Sequence, residues 1–347
     1  MQNKLSLYAI YRVADLTDDE PFDSSVLPAQ ILPDVTIENV SSMFNQEPFK
    51  WVSSQLGYSD LRHLQSVRYA IVHRYQTGIS NEGIADASSE KLIRKLAACL
   101  RLVRPMRQFV EFMQGVVHDG QLDVRTLDHP LDLMEVPEVQ KHFHLRNQDI
   151  ELFKFIAGDF LHAMDGEYWK FKMAIQFHEA GHLQLQTSFW KIRYILWCSA
   201  IEAVYTSKEH QGGYLAIERI KWFLDPMQLV YPPDDIPKIF GQSNLTIGDL
   251  LEDLYRIRND IAHGNKISDA DVRRIMRRDF DRDLNLLDVL VEALSVIIRS
   301  TLLRILRDKL LDHFVSDATA NAYFTAAKLA PTDIQAKLKR TKAISLK

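Results

Sequence analysis

Cysteine is scarce. Cys99 and Cys198 are the only two in 347 residues, too few for a disulfide framework and in keeping with a reducing cytosol. Long apolar runs are missing as well. The most apolar stretch, VEALSVIIRSTLLRIL, is interrupted by Arg299 and Arg304, so no membrane span is expected. The N-terminal MQNKLSLYAIYRVADL has only a short apolar run before Arg12, too short for a secretory signal. A cytoplasmic location is the expectation. Positive charge is not in excess either: the formal net charge is −4. That excludes a generally cationic nucleic-acid binder but leaves room for local basic patches. Internal repeats and low-complexity tracts are absent. What is there is ordinary for a folded soluble chain, 46% apolar and 25% charged, and the length favours two domains over one core.

The first 80 or so residues are mixed. LSLYAIYRV and SVRYAIVHRY are rich in aromatic and branched residues and read as strands. Loops with Pro, Asp and Ser, such as TDDEPFDSSVLPAQILPD, separate them. SSEKLIRKLAACLRLVRPMRQFVEFMQ then turns helical, with Leu92, Leu96, Leu100 and Val103 on one side and Pro105 as the kink or stop. From about 147 onward nearly everything reads as helix: roughly 148–164, 167–187, 189–206, 212–224, 246–263 and 281–314. The expected fold is mainly α. Residues 1–145 form an α+β N-terminal domain of unassigned role, 146–320 a helical bundle, and 321–347 a polar, basic tail that frays.

Two motifs carry chemistry. The first is His-Glu-x-x-His in QFHEAGHLQ. Residues four apart on a helix point within about 40° of each other. His178 and His182 could therefore share a Zn²⁺ while Glu179 serves as base toward a bound water, with Glu202 as a third ligand. Two features oppose this. FWKIRYILWCSAIEAVY is apolar nearly all round, as in a central buried helix rather than a cleft wall. An unbroken helix would also hold His182 and Glu202 roughly 30 Å apart at about 1.5 Å per residue. The plainer reading makes the histidines polar positions on an amphipathic helix.

The second motif lies in TIGDLLEDLYRIRNDIAHG. Thr246 is a good N-cap, and Gly264 sits where a left-handed C-terminal glycine belongs. Leu250, Leu251, Leu254, Ile257 and Ile261 form the stripe expected to be buried. Tyr255, Asn259 and His263 align at i, i+4 and i+8 on another face, with Arg258 beside that row. A guanidinium matches phosphate with two parallel hydrogen bonds. An imidazole near a helix C-terminus is favoured as imidazolium and moves protons near neutral pH. Together these suit RNA strand cleavage, in which the substrate's own 2′-hydroxyl is the nucleophile and no metal is needed. The competing reading is that Arg and His in a last turn merely suit the helix dipole.

RYILWCSAIEAVYTS with its Glu202-Ala203 pair, LAIERIKWFL with Arg219-Ile220, and LYRIRNDIAHG stand in an order and spacing that resemble the HEPN superfamily (higher eukaryote and prokaryote nucleotide-binding). The resemblance is to its ApeA-like branch and covers roughly 165–315, with nothing carried over to 1–145. It implies a HEPN-type bundle that dimerises and brings two Arg-x₄-His motifs into one cleft. Such an enzyme is a metal-independent endoribonuclease of toxin–antitoxin or anti-phage systems, leaving cyclic phosphate ends. By the same resemblance, Arg258 holds the scissile phosphate, His263 is the general acid/base, and Asn259 orients His263 or contacts the phosphate. Tyr255 and Glu202 support them. RNA and a second copy are the implied partners, with an inhibitory or sensor partner a further possibility, and no cofactor is expected. Glu202, among apolar neighbours, then needs a counter-charge, with Arg258 or Arg219 as candidates. Arg273, Arg274, Arg277 and Arg278 either track RNA phosphates or form a solvated face with Asp271, Asp279 and Asp281. Non-catalytic HEPN binding of a nucleotide or protein, and the zinc peptidase, remain the alternatives.

Overall fold

The computed structural model describes residues 2–10, 22–44, 67–104, 112–118, 121–128, 144–183, 190–208, 212–224, 247–268, 270 and 286–336. The chain divides into two compact units, 1–162 and 163–347. Among the described residues, no helix is long and apolar enough to cross a membrane.

The first unit is built on a six-stranded antiparallel sheet. Its strands are β1 (Gln2–Ile10), β2 (Ala29–Leu32), β3 (Val35–Asn39), β4 (Tyr69–Thr77), β5 (Phe112–His118) and β6 (Gln121–Asp128), in the order β2-β3-β4-β1-β5-β6. The long central strand β1 explains the arrangement. Its alternate residues Leu5, Leu7 and Ala9 join Val72, Ala70 and Met113 in an apolar core. The intervening Lys4, Ser6 and Tyr8 point to the opposite face, because successive side chains of a strand alternate. There they meet helix α1 (Glu82–Val103). Lys4 Nζ pairs with Glu82 at 2.6 Å and Asp86 at 2.7 Å, Ser89 donates to Ser6 Oγ at 2.7 Å, and Arg101 donates to the Tyr8 hydroxyl at 2.8 Å. Each of these three polar residues of β1 has a partner from the helix, which is what allows it to be polar.

The expected stop at Pro105 is found. Arg104 leaves α1 in an extended conformation, as a residue before proline must. Its guanidinium then makes a buried two-pronged ion pair with Asp149, at 2.9 and 3.0 Å. Asp149 lies in the first turn of α2 (Asn147–Asp165) and also accepts the Arg146 N–H at 2.8 Å. This pair ties α2 into the first unit, so the division falls at 162 rather than near 145. A second difference concerns FVEFMQ, expected to continue the helix. Residues from Phe112 onward form β5, because pairing with β1 on one side and β6 on the other outweighs local helical pattern.

The second unit is helical. It comprises α3 (Trp169–Leu183), α4 (Trp190–Tyr205), α5 (Gly213–Phe223), α6 (Ile247–Ala262), α7 (Leu286–Arg307) and α8 (Asp317–Ala326). Helix α4 is central and packs against α3, α5, α6 and α7. Its all-round apolar sequence is the reason: Tyr194, Trp197, Cys198, Ile201, Val204 and Tyr205 are all buried. Arg219 of α5 is fully buried and closes this core. It donates to the Tyr205 carbonyl at 2.7 Å, to Asn321 Oδ1 at 2.9 Å and to the Leu329 carbonyl at 3.3 Å, with its guanidinium 4.6 Å from the Phe324 ring centre. Burial lowers its pKa to about 10. The C-terminal segment is therefore not a loose tail from 321 onward. Phe324 and Ile334 are buried, so the chain packs as far as Ile334.

Candidate functional site

Helix α6 carries the Arg-x₄-His motif. Leu251, Leu254 and Ile257 are fully buried and Ile261 half-buried, so most of the expected stripe faces the core. Thr246, the expected N-cap, lies outside the described residues. At the other end Gly264 adopts φ +74°, with Gly264 N–H donating to the Ile261 carbonyl at 3.0 Å and Asn265 N–H to the Asp260 carbonyl at 2.9 Å. These two bonds are the paired closure that a left-handed glycine permits. His263 is the last residue before it and stands exposed.

The polar row on α6 does not stay on one kind of surface. Tyr255 is buried, with its ring directly against Gly213, where no side chain would fit. Its hydroxyl has no hydrogen-bond partner among the described residues, and burial pushes its pKa well up. Asn259 is exposed one turn later, and Arg258 beside it is half-buried. Tyr255 thus packs the helix in place and does not reach the site.

Arg258 and Asn259 line a cavity of about 600 Å³ that lies wholly within the second unit. Helix α3 contributes Trp169, Lys170, Met173 and Phe177. Ser199, Glu202 and Ala203 come from α4, and Thr206, Ser207, Lys208 and Gly212 from the segment that follows it. Asp317, the first residue of α8, completes the acidic groups. His263 is not among the lining residues.

Two ion pairs face this space. Arg258 Nη2 stands 3.3 Å from each oxygen of Glu202, and Nη1 donates to Asn259 Oδ1 at 3.3 Å. Of the two candidate partners for Glu202, the structure selects Arg258, and Arg219 is engaged elsewhere. Burial raises the Glu202 pKa, and Arg258 pulls against that rise. The distances exceed the 2.7–2.9 Å or so of a tight charge-assisted bond, so the guanidinium is held loosely. The second pair joins Lys170 Nζ to Asp317 Oδ1 at 2.7 Å, with the Thr206 carbonyl as a further acceptor at 2.6 Å. Burial lowers the Lys170 pKa, and Asp317 opposes that shift. Asp317 Oδ2 accepts the Lys208 backbone N–H at 2.9 Å.

Sequence reasoning missed Trp169, Lys170, Lys208 and Asp317. Lys170 left a faint signal, as one of two lysines, with Lys172, set among the apolar residues of WKFKMAI. Nothing local indicates that Asp317, 147 positions away, would meet it.

The residues of the zinc reading do not gather into one cluster among the described residues. His178 is fully buried, with its ring stacked on Trp197 at 6.1 Å, and its carbonyl accepts the Trp197 indole N–H at 3.1 Å. His182 lies 3.2 Å from His178 through the two Nε2 atoms. Glu179 stands 3.5 Å from His178 Nδ1. Glu202, the third ligand of that reading, faces Arg258. Among the described residues, no three His, Cys, Asp or Glu side chains gather as a metal would need. The basic cluster Arg273, Arg274, Arg277 and Arg278 lies outside the described residues.

Compared with protein-family models, with curated proteins and with solved structures, the chain matches none.

Proposed function

We propose that the helical unit is a metal-independent endoribonuclease of the HEPN type, acting as a toxin or an anti-phage effector. The observation that carries this reading is the placement of α6. Arg258 and Asn259 stand at the wall of a cavity of about 600 Å³, and His263 stands exposed one turn beyond them, at the C-terminal end of the same helix. Arg258 takes the scissile phosphate, exchanging its loose contact with Glu202 for a two-pronged one to the phosphoryl oxygens. Asn259 positions that guanidinium through its 3.3 Å contact. The 2′-hydroxyl attacks phosphorus, the bond to the 5′-oxygen breaks, and a 2′,3′-cyclic phosphate and a 5′-hydroxyl result. One proton leaves the 2′-hydroxyl and one reaches the 5′-oxygen, so two groups must serve. In a homodimer paired across α6, the two copies of His263 supply both.

A direct test incubates the protein and its His263→Ala variant with structured and single-stranded RNA in the presence of a chelator. The expected result is cleavage by the parent alone, leaving cyclic phosphate ends. No cleavage of any RNA by either protein would overturn the reading. A second reading draws on the Arg258–Glu202 contact and on His263 lying outside the cavity lining. In it the unit is a non-catalytic module that binds a nucleotide, and equilibrium dialysis against nucleotides without turnover would support it.

A further inference from the structure

The two halves of α1 are held to the sheet of the first unit by different means. Ile93 and every residue from Leu96 to Val103 are buried. Between Glu82 and Leu92, Ser89 alone is buried, and Ile84 stands 73% exposed. This first half therefore gains little from the hydrophobic effect, which scales with the apolar area removed from water. A continuous chain of polar contacts holds it instead. His73 Nδ1 of β4 lies 2.7 Å from Ser89 Oγ, and Ser89 donates in turn to Ser6 Oγ of β1 at 2.7 Å. Gln114 Nε2 of β5 lies 2.9 Å from Ser6 Oγ, 2.8 Å from the Tyr75 hydroxyl and 3.0 Å from the Asp86 carbonyl. The Tyr75 hydroxyl donates to Asp86 Oδ1 at 2.8 Å, and Asp86 shares the Lys4 ammonium with Glu82.

His73 is the member of this chain whose residue type changes charge near neutral pH. The one Ser89 hydroxyl proton goes to Ser6, so the contact between His73 and Ser89 uses the hydrogen on Nδ1. Acid then adds the second proton at Nε2. Every element packed around the ring brings charged or polar groups. Beside β3 stands Asp34, whose carbonyl accepts the Arg74 N–H at 3.1 Å, and Glu38 of β3 is paired with the Arg74 side chain. β1 brings Lys4 on the face that holds Ser6, β5 brings the neutral Gln114, and α1 brings Asp86 and Glu82, both engaged by Lys4. On β4 itself Tyr75 stacks on the imidazole, with ring centres 5.3 Å apart. The imidazole is half-buried, and burial lowers its pKa below the ordinary 6.5 while Asp34 opposes the shift. We propose that the polar chain from His73 to Lys4 is an acid-sensitive latch, which holds the first half of α1 on the sheet and releases it when His73 takes its second proton. The second half stays in place, because apolar burial does not titrate. The inference concerns the first unit alone and is independent of the ribonuclease reading.

Once the half-helix opens, His73 regains an ordinary pKa, so opening takes up a proton. Closure is then fully favoured above about pH 6.5 and weakens as pH falls through the folded value. Hydrogen exchange of the full chain between about pH 7.5 and 5, above the ordinary carboxylate range, measures this once intrinsic exchange rates are corrected. Protection of the amides of 86–92 is expected to fall by up to about tenfold per pH unit, the limit for one proton, while 96–103 keeps its protection. The midpoint should follow the titration of the His73 ring, read by NMR on the same protein. His73→Gln keeps a donor for Ser89 and takes no proton, so its 86–92 amides should be equally protected at both ends of the range. Ser89→Ala cuts the chain and should leave those amides as open at the upper pH as the parent's are at the lower. An unchanged parent, a loss spread evenly along α1, a midpoint apart from the His73 titration, or the same acid loss in His73→Gln would each overturn the proposal. Should a variant fail to fold, the parent's exchange and its His73 titration decide the matter by themselves.

Discussion

Arg258 and Glu202, 56 residues apart in sequence, meet at the wall of one cavity with Nη2 at 3.3 Å from each carboxylate oxygen. The pair is loose and half-buried, so it sets the resting state of the guanidinium without locking it. Replacing the carboxylate shows what the contact costs. Burial holds the folded-state pKa of Glu202 above its ordinary 4.5, with Arg258 only partly offsetting it. A carboxyl with a raised folded pKa contributes stability below about pH 4.5 and loses it as pH rises through the folded value. Glu202→Gln should therefore match the parent in melting temperature near pH 4. It should equal or exceed the parent from there to neutrality, as thermal melts across that pH range will show. A variant several degrees less stable than the parent at pH 7 would contradict this account.

Arg258→Lys keeps the charge and removes the planar fork. If Arg258 grips phosphate through two hydrogen bonds, cleavage should fall by about 10²-fold or more with the fold unchanged. Single-turnover cleavage rates measure it, with circular dichroism as the control for folding.

Arg219 is a structural cation. It is fully buried and bonds two carbonyls and the Asn321 side chain. Arg219→Ala leaves those acceptors without donors and opens a cavity, so a loss of about 3–5 kcal/mol is expected in urea unfolding. Arg219→Lys should recover only part of it, since one ammonium cannot span all three acceptors.

Gly181 is required by contact rather than by its backbone angle. A methyl group there would run into the Trp197 indole, which donates to the His178 carbonyl at 3.1 Å. Gly181→Ala should displace the indole and destabilise the bundle by about 2–4 kcal/mol, from overpacking and the lost bond. Near-ultraviolet circular dichroism and a denaturant titration will register both effects.

In the first unit, Asp149→Asn breaks the buried two-pronged pair with Arg104, whose side chains are 3% and 7% exposed. Breaking a buried ion pair by neutralising one partner costs about 3–5 kcal/mol. Hydrogen exchange should show earlier opening of the amides in α1 and in the first turn of α2.

Much of the fold was legible in local pattern. The helical segments from 147 onward follow from apolar spacing, β1 and β4 from their aromatic and branched residues, and the end of α1 from Pro105. The glycine closure of α6 at Gly264, at φ +74°, was equally readable, because a left-handed terminus favours glycine strongly. Strands β2 and β3 are four and five residues long, too short to carry a period. The stretch holding β5 has a local pattern that suits a helix as well as a strand, and only its neighbours in the sheet decide between them.

The sequence by itself determined the capped α6 with Arg258, Asn259 and His263 in its last turns, and the burial of α4, since both depend on residues within one turn of each other. Tertiary structure alone decided that Glu202 would face Arg258 instead of His178 and His182, and that Trp169, Lys170 and Asp317 would join them around one space. The physical reason is range. A helix dictates which of its own residues share a face, but which faces meet is settled by packing the whole bundle around α4.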